Sequence, residues 1–246
     1  MKVTAVIPAR YGSSRLPGKP LAEIGGRPMI QHVWQRVSQL FPRTIIATDH
    51  TAIADAARRF GAEVVLTDPD IATGTMRSIQ AYREAGCDAD ILLNVQGDEP
   101  FISPYTLSAV VERLNGADHP AVATAATPFP HTEPYSRLAD PNRVKVVTDS
   151  ANRAIYFSRS VIPALRSIPV ADWPRHHTYL IHHGVYAFAT DALEAIKHAV
   201  DSPLARAEQL EQLAWLQAGM SIGIAVVPDA PFAIDTPADL ARARAL

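Results

Sequence analysis

Short apolar runs alternate with longer amphipathic segments in the N-terminal part of the chain, and this alternation constrains the fold most strongly. VTAVIPA, RTIIATD, EVVLTD and DILLNV predict buried strands, whereas MIQHVWQRVSQL and TGTMRSIQAYREAG have helical periodicity. Parallel strands joined by crossover helices produce this order, because parallel neighbours need a long connection that runs back across the sheet. The pattern therefore predicts an α/β fold with a mainly parallel sheet flanked by helices.

Strand patterns become more frequent from Ala121 onward. The runs VATAATP, VKVVTD, AIYFSRS and HHGVYAFAT predict strands, and they indicate a small, partly antiparallel β-rich subdomain around residues 129–189. The segment ARAEQLEQLAWLQAG then predicts one helix, and SIGIAVVP predicts one more strand. DTPADLARARAL predicts a terminal helix with Asp235 or Thr236 as its N-cap. Because no linker or repeat interrupts the pattern, we expect a single domain over residues 1–246.

The composition excludes several classes of protein. Apolar residues make up 48% of the 246 residues and the net charge is -2, which argues against disorder and against a general nucleic-acid binder. With Cys87 as its one cysteine, the sequence can form neither an intramolecular disulfide nor a cysteine-based zinc cluster, and a reducing compartment fits. No apolar run approaches the roughly 18 residues of a membrane span, and the N-terminal run is too short for a signal peptide. We therefore expect a cytoplasmic protein with neither a membrane nor a nucleic-acid partner.

The loop after the first predicted strand, PARYGSSRLPGKP, concentrates positive charge among small residues. Arg10, Arg15 and Lys19 alternate with residues such as Gly12 and Ser13. Cations this close repel one another unless an anion lies among them, and small residues let backbone N–H groups approach phosphate oxygens. A nucleoside triphosphate is a natural ligand, and a solvated basic loop is the alternative. The Walker order GxxxxGK[ST] is absent.

Two further motifs add carboxylates. Asp98 lies in NVQGDEP at the end of the apolar run ILLNV, where it can hold Mg²⁺, and Gln96 can bind a base or a sugar hydroxyl. The alternatives are an ordinary capping turn for Asp98, a helix cap for Asp235 and a surface cation for Arg159. Taken together, Asp98 and Asp235 can share one metal, while the Arg159 guanidinium can bind a substrate carboxylate through two hydrogen bonds.

The order of these motifs resembles the 3-deoxy-manno-octulosonate (Kdo) cytidylyltransferases, also called CMP-Kdo synthetases. PARYGSSRLPGKP, NVQGDEP, PNRVKVV, YFSRSVIP, HHGVYAF, PLARAEQLEQL and DTPADL carry the resemblance through essentially the whole chain. It implies a GT-A-like nucleotide-diphospho-sugar transferase fold, a homodimer, and a dimerisation and sugar-binding role for the β-rich subdomain. It also implies an Mg²⁺-dependent enzyme of lipopolysaccharide biosynthesis, which transfers CMP from CTP to the anomeric hydroxyl of Kdo and releases pyrophosphate.

The resemblance implies roles for individual residues. The implied metal-binding positions are Asp98 and Asp235, which form the catalytic set together with Arg15 and Lys19. The implied nucleotide-binding residues are Arg10, Gly12, Ser13, Arg15, Lys19, Thr73 and Gly74. The implied sugar-binding residues are Arg77, Gln96, Arg159, His182, Glu211 and Gln212.

Three positions depart from the family pattern. The stretch IATGTMR has Ile71 where relatives carry histidine and Met76 where they carry an acidic residue, and Ile181 replaces a basic residue. Loss of the acidic side chain removes a charge-assisted partner on the sugar side. Two alternatives therefore stay open. One is a cytidylyltransferase for a related sugar acid, either 8-amino-Kdo or a nonulosonate, and the other is a non-catalytic nucleotide-binding paralogue.

Overall fold

The computed structural model describes residues 1–12, 16–199, 202–228 and 232–245. Its strands are β1 (Val3–Ala9), β2 (Glu23–Ile24), β3 (Arg27–Pro28), β4 (Thr44–Thr48), β5 (Glu63–Leu66), β6 (Ile91–Asn94), β7 (Val122–Pro128), β8 (Lys145–Thr148), β9 (Ala154–Ser158), β10 (Leu180–Ala189) and β11 (Ile222–Val226). Its α-helices are α1 (Met29–Ser38), α2 (Thr51–Arg59), α3 (Gly74–Glu84), α4 (Pro104–Leu114), α5 (Tyr135–Leu138), α6 (Trp173–His176), α7 (Leu193–His198), α8 (Pro203–Glu208), α9 (Gln212–Gln217) and α10 (Pro237–Arg244). Within the described ranges, none of the helices is both long and apolar enough to span a bilayer.

Tertiary contacts divide the chain into two compact units. Unit 1 comprises Met1–Ser108, Val185–Thr190 and Pro231–Leu246. Unit 2 comprises Ala109–Gly184 and Asp191–Ala230. Unit 2 thus begins before the β-rich segment predicted around residues 129–189 and continues to Ala230, whereas residues 185–189 of that segment belong to unit 1. The dimerisation and sugar-binding role of that segment stays a prediction.

Unit 1 contains the parallel sheet that the sequence predicts. β1 lies between β4 and β6, β5 pairs with β4, and all three pairings are parallel. The second half of β10 adds an antiparallel neighbour to β6, with Tyr186 opposite Asn94. Ile7, Ile46 and Leu92 are fully buried, because helices α1, α2 and α3 pack against these strands. The predicted α/β class with a mainly parallel sheet is confirmed.

Unit 2 is built on strands from the β-rich half of the chain. β7 and β11 run parallel, with Val122 opposite Ile222, and β8 pairs antiparallel with β9 and with the start of β10. Phe129 and Leu138 belong to a buried apolar cluster of this unit, and so does Ile181. The apolar residue at this departure from the family pattern therefore suits its surroundings.

The segment predicted as one helix, ARAEQLEQLAWLQAG, forms two short helices in unit 2. α8 ends at Glu208, Gln209 adopts a left-handed conformation (φ 51°), and α9 begins at Gln212. Arg159 explains the break, because its guanidinium donates to the carbonyl oxygens of Glu208 at 2.6 Å and Gln209 at 3.2 Å. Local helix propensity is weak enough for such tertiary hydrogen bonds to override it. The single-helix prediction is wrong at this point.

The terminal helix α10 in unit 1 shows which of the two candidate residues is its cap. The Thr236 hydroxyl accepts a hydrogen bond from the Asp239 N–H at 3.2 Å, and the Asp239 carboxylate accepts from the Thr236 N–H at 2.9 Å. This reciprocal pair is a capping box. Asp235 is therefore not the N-cap, and its carboxylate accepts a hydrogen bond from Lys19 Nζ at 3.1 Å.

Candidate active site

A short turn after the glycine- and serine-rich loop holds Lys19. Gly18 adopts a left-handed conformation (φ 67°), which favours glycine, and its N–H donates to the Tyr11 carbonyl at 3.2 Å. This hydrogen bond closes the loop, and the 3-10 turn Lys19–Leu21 follows directly. The loop therefore presents Lys19 from a defined backbone position.

Lys19 places its ammonium group between two carboxylates. Nζ donates to Asp98 Oδ2 at 2.6 Å and to Asp235 Oδ1 at 3.1 Å. A backbone hydrogen bond of 2.9 Å from the Ile234 N–H to the Asp98 carbonyl holds the two acidic segments together. Three residues that the motifs singled out, far apart in the sequence, therefore meet at one point in unit 1.

Gly97 lets the acidic turn approach the end of β1. A Cβ at this position would lie 2.9 Å from the carbonyl oxygen of Pro8, which is closer than real Cβ contacts come. Asp98 follows β6, and Pro8 lies near the end of β1, which is the parallel neighbour of β6. Asp98 thus lies at the carboxyl ends of two parallel strands, where open α/β sheets bind their ligands.

Acidic neighbours set the charge state of this cluster. Burial by itself lowers the pKa of Lys19, but Asp98 and Asp235 together raise it above its usual value. Glu99 is also buried, and burial together with the negative charges of Asp98 and Asp235 raises its pKa to about 8. At neutral pH, Lys19 is therefore a cation, and the carboxyl group of Glu99 is mostly protonated.

An open cavity of about 270 Å³ in unit 1 surrounds this cluster. Besides Lys19 and the two aspartates, its lining includes the predicted residues Arg10, Thr73, Gly74, Arg77 and Gln96. Ile71 lines it as well, so this departure from the family pattern concerns the same cavity. Gly12 is exposed, while Ser13 and Arg15, both predicted to bind the nucleotide, lie outside the described residues.

The N-terminus of α3 forms part of the cavity lining. Thr73 is its N-cap, and the Thr73 hydroxyl accepts a hydrogen bond from the Met76 N–H at 3.2 Å. Gly74 follows beside Gln96, whose amide would lie 3.3 Å from a Cβ at position 74. The helix dipole and the backbone N–H groups of the first turn make a helix N-terminus favourable for a phosphate group.

A network that the motifs did not reveal holds Arg77, which is buried in the same lining. Its Nη2 donates to Asp49 Oδ2 at 3.2 Å, and its Nη1 donates to the hydroxyl of Thr67. Asp49 Oδ1 also accepts from the Tyr11 N–H at 3.2 Å, so one carboxylate connects Arg77 with the start of the loop. Burial lowers the pKa of Arg77, and Asp49 partly offsets this effect. In the sequence, the one indication of this network was Asp49 in RTIIATD, which directly follows β4.

In unit 2, Arg159 donates hydrogen bonds to three backbone carbonyls. Nε reaches Glu208 at 2.6 Å, Nη1 reaches Pro141 at 2.9 Å, and Nη2 reaches Gln209 at 3.2 Å. The Glu208 carboxylate accepts in return from the Arg159 N–H at 2.8 Å and from the Ser158 hydroxyl at 2.6 Å. The Arg159 guanidinium, predicted to bind a substrate carboxylate, therefore connects backbone segments around Pro141 and Glu208 of the same unit.

Lys145 supports the same arrangement. It is fully buried, and its Nζ donates to the carbonyl oxygens of Asp140 at 3.1 Å and Arg159 at 2.5 Å. Burial lowers its pKa to about 8, although Asp140 and Glu208 act in the opposite direction. The motif PNRVKVV contained the signal, because a lysine between valines in a strand pattern needs polar partners in the core.

The other predicted sugar-binding residues of unit 2 are His182, Glu211 and Gln212. His182 Nε2 lies 3.0 Å from the Thr124 hydroxyl, and burial together with His183 lowers its pKa to about 3, so the ring is neutral at pH 7. Gln212 begins α9 directly after Glu211. Its side chain is buried, and its amide nitrogen has no hydrogen-bond partner among the described atoms. A buried donor without a partner requires an explanation, and a hydrogen bond to a bound ligand is one that agrees with the predicted role of Gln212.

Two converging carboxylates suit a magnesium ion that also binds phosphate. Mg²⁺ in nucleotide enzymes usually has one or two carboxylate ligands, several waters and phosphate oxygens. Asp98 and Asp235 already share one cation, the Lys19 ammonium, so their oxygens point to a common position. The described residues contain no group of three or more His, Cys, Asp or Glu side chains that could hold a metal by themselves. The pair therefore fits a magnesium ion shared with a substrate.

Comparisons with known proteins identify the family. The profile described as cytidylyltransferase matches residues 4–222. The 3-deoxy-manno-octulosonate cytidylyltransferase of Porphyromonas gingivalis is 42% identical over 98% of this chain and 95% of its own length. That of Synechococcus elongatus is 41% identical over 100% of this chain and 98% of its own length. The chain belongs to the 3-deoxy-manno-octulosonate cytidylyltransferase family.

Solved structures agree with this family assignment. CMP:2-keto-3-deoxy-manno-octonic acid synthetase complexed with CTP is 38% identical, with a TM-score of 0.90 over 100% of this chain and 98% of that chain. The 4-diphosphocytidyl-2C-methyl-D-erythritol synthase of Anaerococcus prevotii is 15% identical, with a TM-score of 0.62 over 99% and 97% of the two chains, and shows only the shared fold. The family resemblance and the nucleotidyltransferase fold are therefore confirmed. The roles of individual residues in this member of the 3-deoxy-manno-octulosonate cytidylyltransferase family stay predictions.

Proposed function

We propose that this chain transfers CMP from CTP to the anomeric hydroxyl of Kdo and releases pyrophosphate, a step of lipopolysaccharide biosynthesis. The observation that carries the proposal is the meeting of Lys19, Asp98 and Asp235 at the carboxyl ends of parallel strands. Relatives that are 40% to 42% identical over nearly the whole chain support the substrate pair CTP and Kdo.

The reaction is an in-line displacement at the α-phosphate of CTP. The sugar hydroxyl attacks phosphorus, the bond to the bridging oxygen of the β-phosphate breaks, and negative charge develops on the phosphate oxygens. Arg10 and Lys19 can neutralise this charge, and the N-terminus of α3 adds backbone donors in the same cavity. Mg²⁺, when bound by Asp98 and Asp235, supplies further positive charge to these oxygens.

Further groups that we assign to the sugar acid are found in unit 2. Arg159 has five N–H donors and uses three on backbone carbonyls, which leaves two for a substrate carboxylate. The unpartnered amide nitrogen of Gln212 can donate to a sugar hydroxyl. His182 contributes as a neutral hydrogen-bonding ring, because its pKa of about 3 keeps it uncharged.

Three further features belong to this proposal. The carboxylate pair supports Mg²⁺ as the cofactor. A reducing, cytoplasmic location agrees with the single cysteine, Cys87. A homodimer is expected from the family resemblance, with residues 129–189 as the segment that contributes to its interface.

Pyrophosphate release measures the proposed activity directly. The protein is incubated with Mg²⁺ and CTP, together with Kdo, 8-amino-Kdo or a nonulosonate, and UTP replaces CTP as the matched nucleotide control. We expect release with Kdo, at a kcat/KM about tenfold or more above that of the other sugar acids and of UTP. A clear preference for another acid would replace Kdo as the substrate. No release with any acid would instead identify a nucleotide-binding paralogue without catalysis.

A further inference from the structure

Lys19 already occupies the position where a metal ion would meet the two aspartates. Its Nζ lies 2.6 Å from Asp98 Oδ2 and 3.1 Å from Asp235 Oδ1. The side chains of Lys19 and Asp98 are 14% and 25% exposed, so water screens their contact less than that of a surface pair, whereas the Asp235 side chain is 41% exposed. The carboxylate pair thus has an internal cation in the protein without ligands.

An ammonium group and a magnesium ion cannot share these oxygens. Mg²⁺ binds oxygen at about 2.0–2.1 Å, so an ion between the two carboxylates would overlap the space filled by Nζ. Two cations at such a distance also repel each other strongly. Binding of a metal to these two oxygens, Asp98 Oδ2 and Asp235 Oδ1, therefore requires the Lys19 ammonium to leave.

The Lys19 side chain can move while its surroundings stay in place. The Lys19 carbonyl accepts from the Ala22 N–H at 3.0 Å, which fixes the backbone of the turn. The Ile234 N–H holds the Asp98 carbonyl, and Asp235 directly precedes the capped end of α10. Because lysine has a flexible four-carbon stem and a compact head group, the ammonium can swing away without a change of backbone.

A triphosphate is the anion that can draw Lys19 away. Arg10, Lys19 and the N-terminus of α3 line one cavity, so phosphate oxygens bound there come within reach of Nζ. The phosphates replace the two ion pairs that Lys19 gives up, because hydrogen bonds from an ammonium group to phosphate oxygens are charge-assisted, as those to carboxylates are.

We propose that Lys19 is an exchangeable counter-ion, which neutralises Asp98 and Asp235 in the nucleotide-free protein and moves to the phosphates when a nucleoside triphosphate binds. This inference rests on the metal role that the proposed function gives to the two aspartates. The divalent ion then binds weakly by itself and tightly once Lys19 has left. By thermodynamic linkage, nucleotide and metal each strengthen the binding of the other.

Mn²⁺ binding to the nucleotide-free protein tests this role without any turnover. Mn²⁺ replaces Mg²⁺ because both accept carboxylate oxygens and the signal of free Mn²⁺ is measurable by electron paramagnetic resonance. We expect Lys19→Met to bind one Mn²⁺ about tenfold or more tightly than the wild type, since the competing cation is gone. Lys19→Arg is the matched control and should bind Mn²⁺ as weakly as the wild type, because it keeps the positive charge.

A double variant locates the ion. In Lys19→Met, an added Asp98→Asn should abolish the gain in Mn²⁺ affinity, because it removes one of the two ligands. A gain that survives this change would place the ion elsewhere and overturn the proposal, as would a Lys19→Met variant that binds Mn²⁺ no more tightly than the wild type.

Loss of Lys19 leaves two carboxylates facing each other, so thermal unfolding must show that the variant is folded. Lys19→Gln is the second neutral variant, for which the same tightening is expected. The wild type provides a test that needs no variant: a Kd for Mn²⁺ of about 10 μM or less without nucleotide would overturn the proposal.

Pyrophosphate release separates this inference from the proposed function. Turnover by the wild type, combined with unchanged Mn²⁺ affinity in the neutral variants, would remove the counter-ion role and leave the function standing. Tighter Mn²⁺ binding in those variants, combined with no release by the wild type, would support the counter-ion role and remove the function.

Discussion

Replacement of Arg159 with lysine removes most of the hydrogen bonds that hold the segment before Glu211 and Gln212. The guanidinium donates to three backbone carbonyls in two different loops. A lysine ammonium is a compact group on a flexible stem, and it cannot reproduce the planar fork that reaches all three. We expect Arg159→Lys to lose about two of the three contacts and to leave their carbonyl oxygens without protein partners.

The stability cost follows from these contacts. A hydrogen bond to a charged group contributes about 1.5–3 kcal/mol, and the lower end applies because Arg159 is partly exposed. Loss of two such bonds therefore lowers the free energy of unfolding by about 3 kcal/mol. For a chain of this size, each kcal/mol corresponds to roughly 2–4 °C in Tm, so we expect a decrease of roughly 6–12 °C.

Urea unfolding followed by tryptophan fluorescence measures this change, since Trp215 is buried in α9, just beyond the affected segment. Arg166→Lys is the matched control, because Arg166 is exposed in the same unit, and its effect should stay within about 0.5 kcal/mol. Steady-state kinetics complete the test. The KM for the sugar acid should rise more than the KM for CTP, because the two remaining guanidinium donors are also lost.

Two results would refute this reasoning. An Arg159→Lys protein as stable as Arg166→Lys would show that the three carbonyl contacts do not hold the segment in solution. Equal increases in KM for the sugar acid and for CTP would place Arg159 outside the sugar-acid site.

Two predictions address the two units separately. Asp98→Asn should lower kcat for pyrophosphate release by a factor of roughly 100 or more, with little change in fold by circular dichroism. The reason is that asparagine has nearly the same shape as aspartate but lacks the negative charge of a hard metal ligand. Near-normal activity of the variant would remove Asp98 from the metal role. His182 titrates near 6.5 in the unfolded chain but only at about 3 in the folded protein, so the unfolded state binds more protons between these values, and stability is lost as the pH falls. His182→Gln can keep the hydrogen bond to Thr124 but cannot titrate. In urea titrations, its free energy of unfolding should therefore depend less on pH than that of the wild type, by up to about 1.4 kcal/mol per pH unit. The same dependence on pH for wild type and variant would contradict the low pKa of His182.

Much of the fold could be predicted because its signals are local. The alternation of apolar runs with helical periodicity corresponds to β1, β4, β5 and β6 and the helices between them. Strand and helix periods depend on which side chains must be buried, and this information is contained in a few consecutive residues. The prediction of one helix over ARAEQLEQLAWLQAG failed for a non-local reason, since the carbonyls at the break are bound by Arg159, which lies some 50 residues earlier in the chain.

The candidate site divides in the same way. Lys19, Asp98 and Asp235 could be singled out because their motifs place charge next to small residues or at strand ends. Asp49 and Lys145 were not predicted as site residues, because their roles depend on hydrogen bonds to residues that are distant in the sequence. Asp49 joins Arg77 to the Tyr11 N–H, and Lys145 binds the Arg159 carbonyl.

The sequence alone determined the family, the order of most elements and the residue types at the phosphate and metal positions, because these depend on local pattern and on chemistry. Only the tertiary structure decided that Thr236 caps α10 while Asp235 turns to Lys19, and that the guanidinium of Arg159 binds backbone carbonyls. Hydrogen bonds between distant segments form only when folding brings those segments together, at a cost in conformational entropy. Local periodicity does not show which polar groups come into contact as a result.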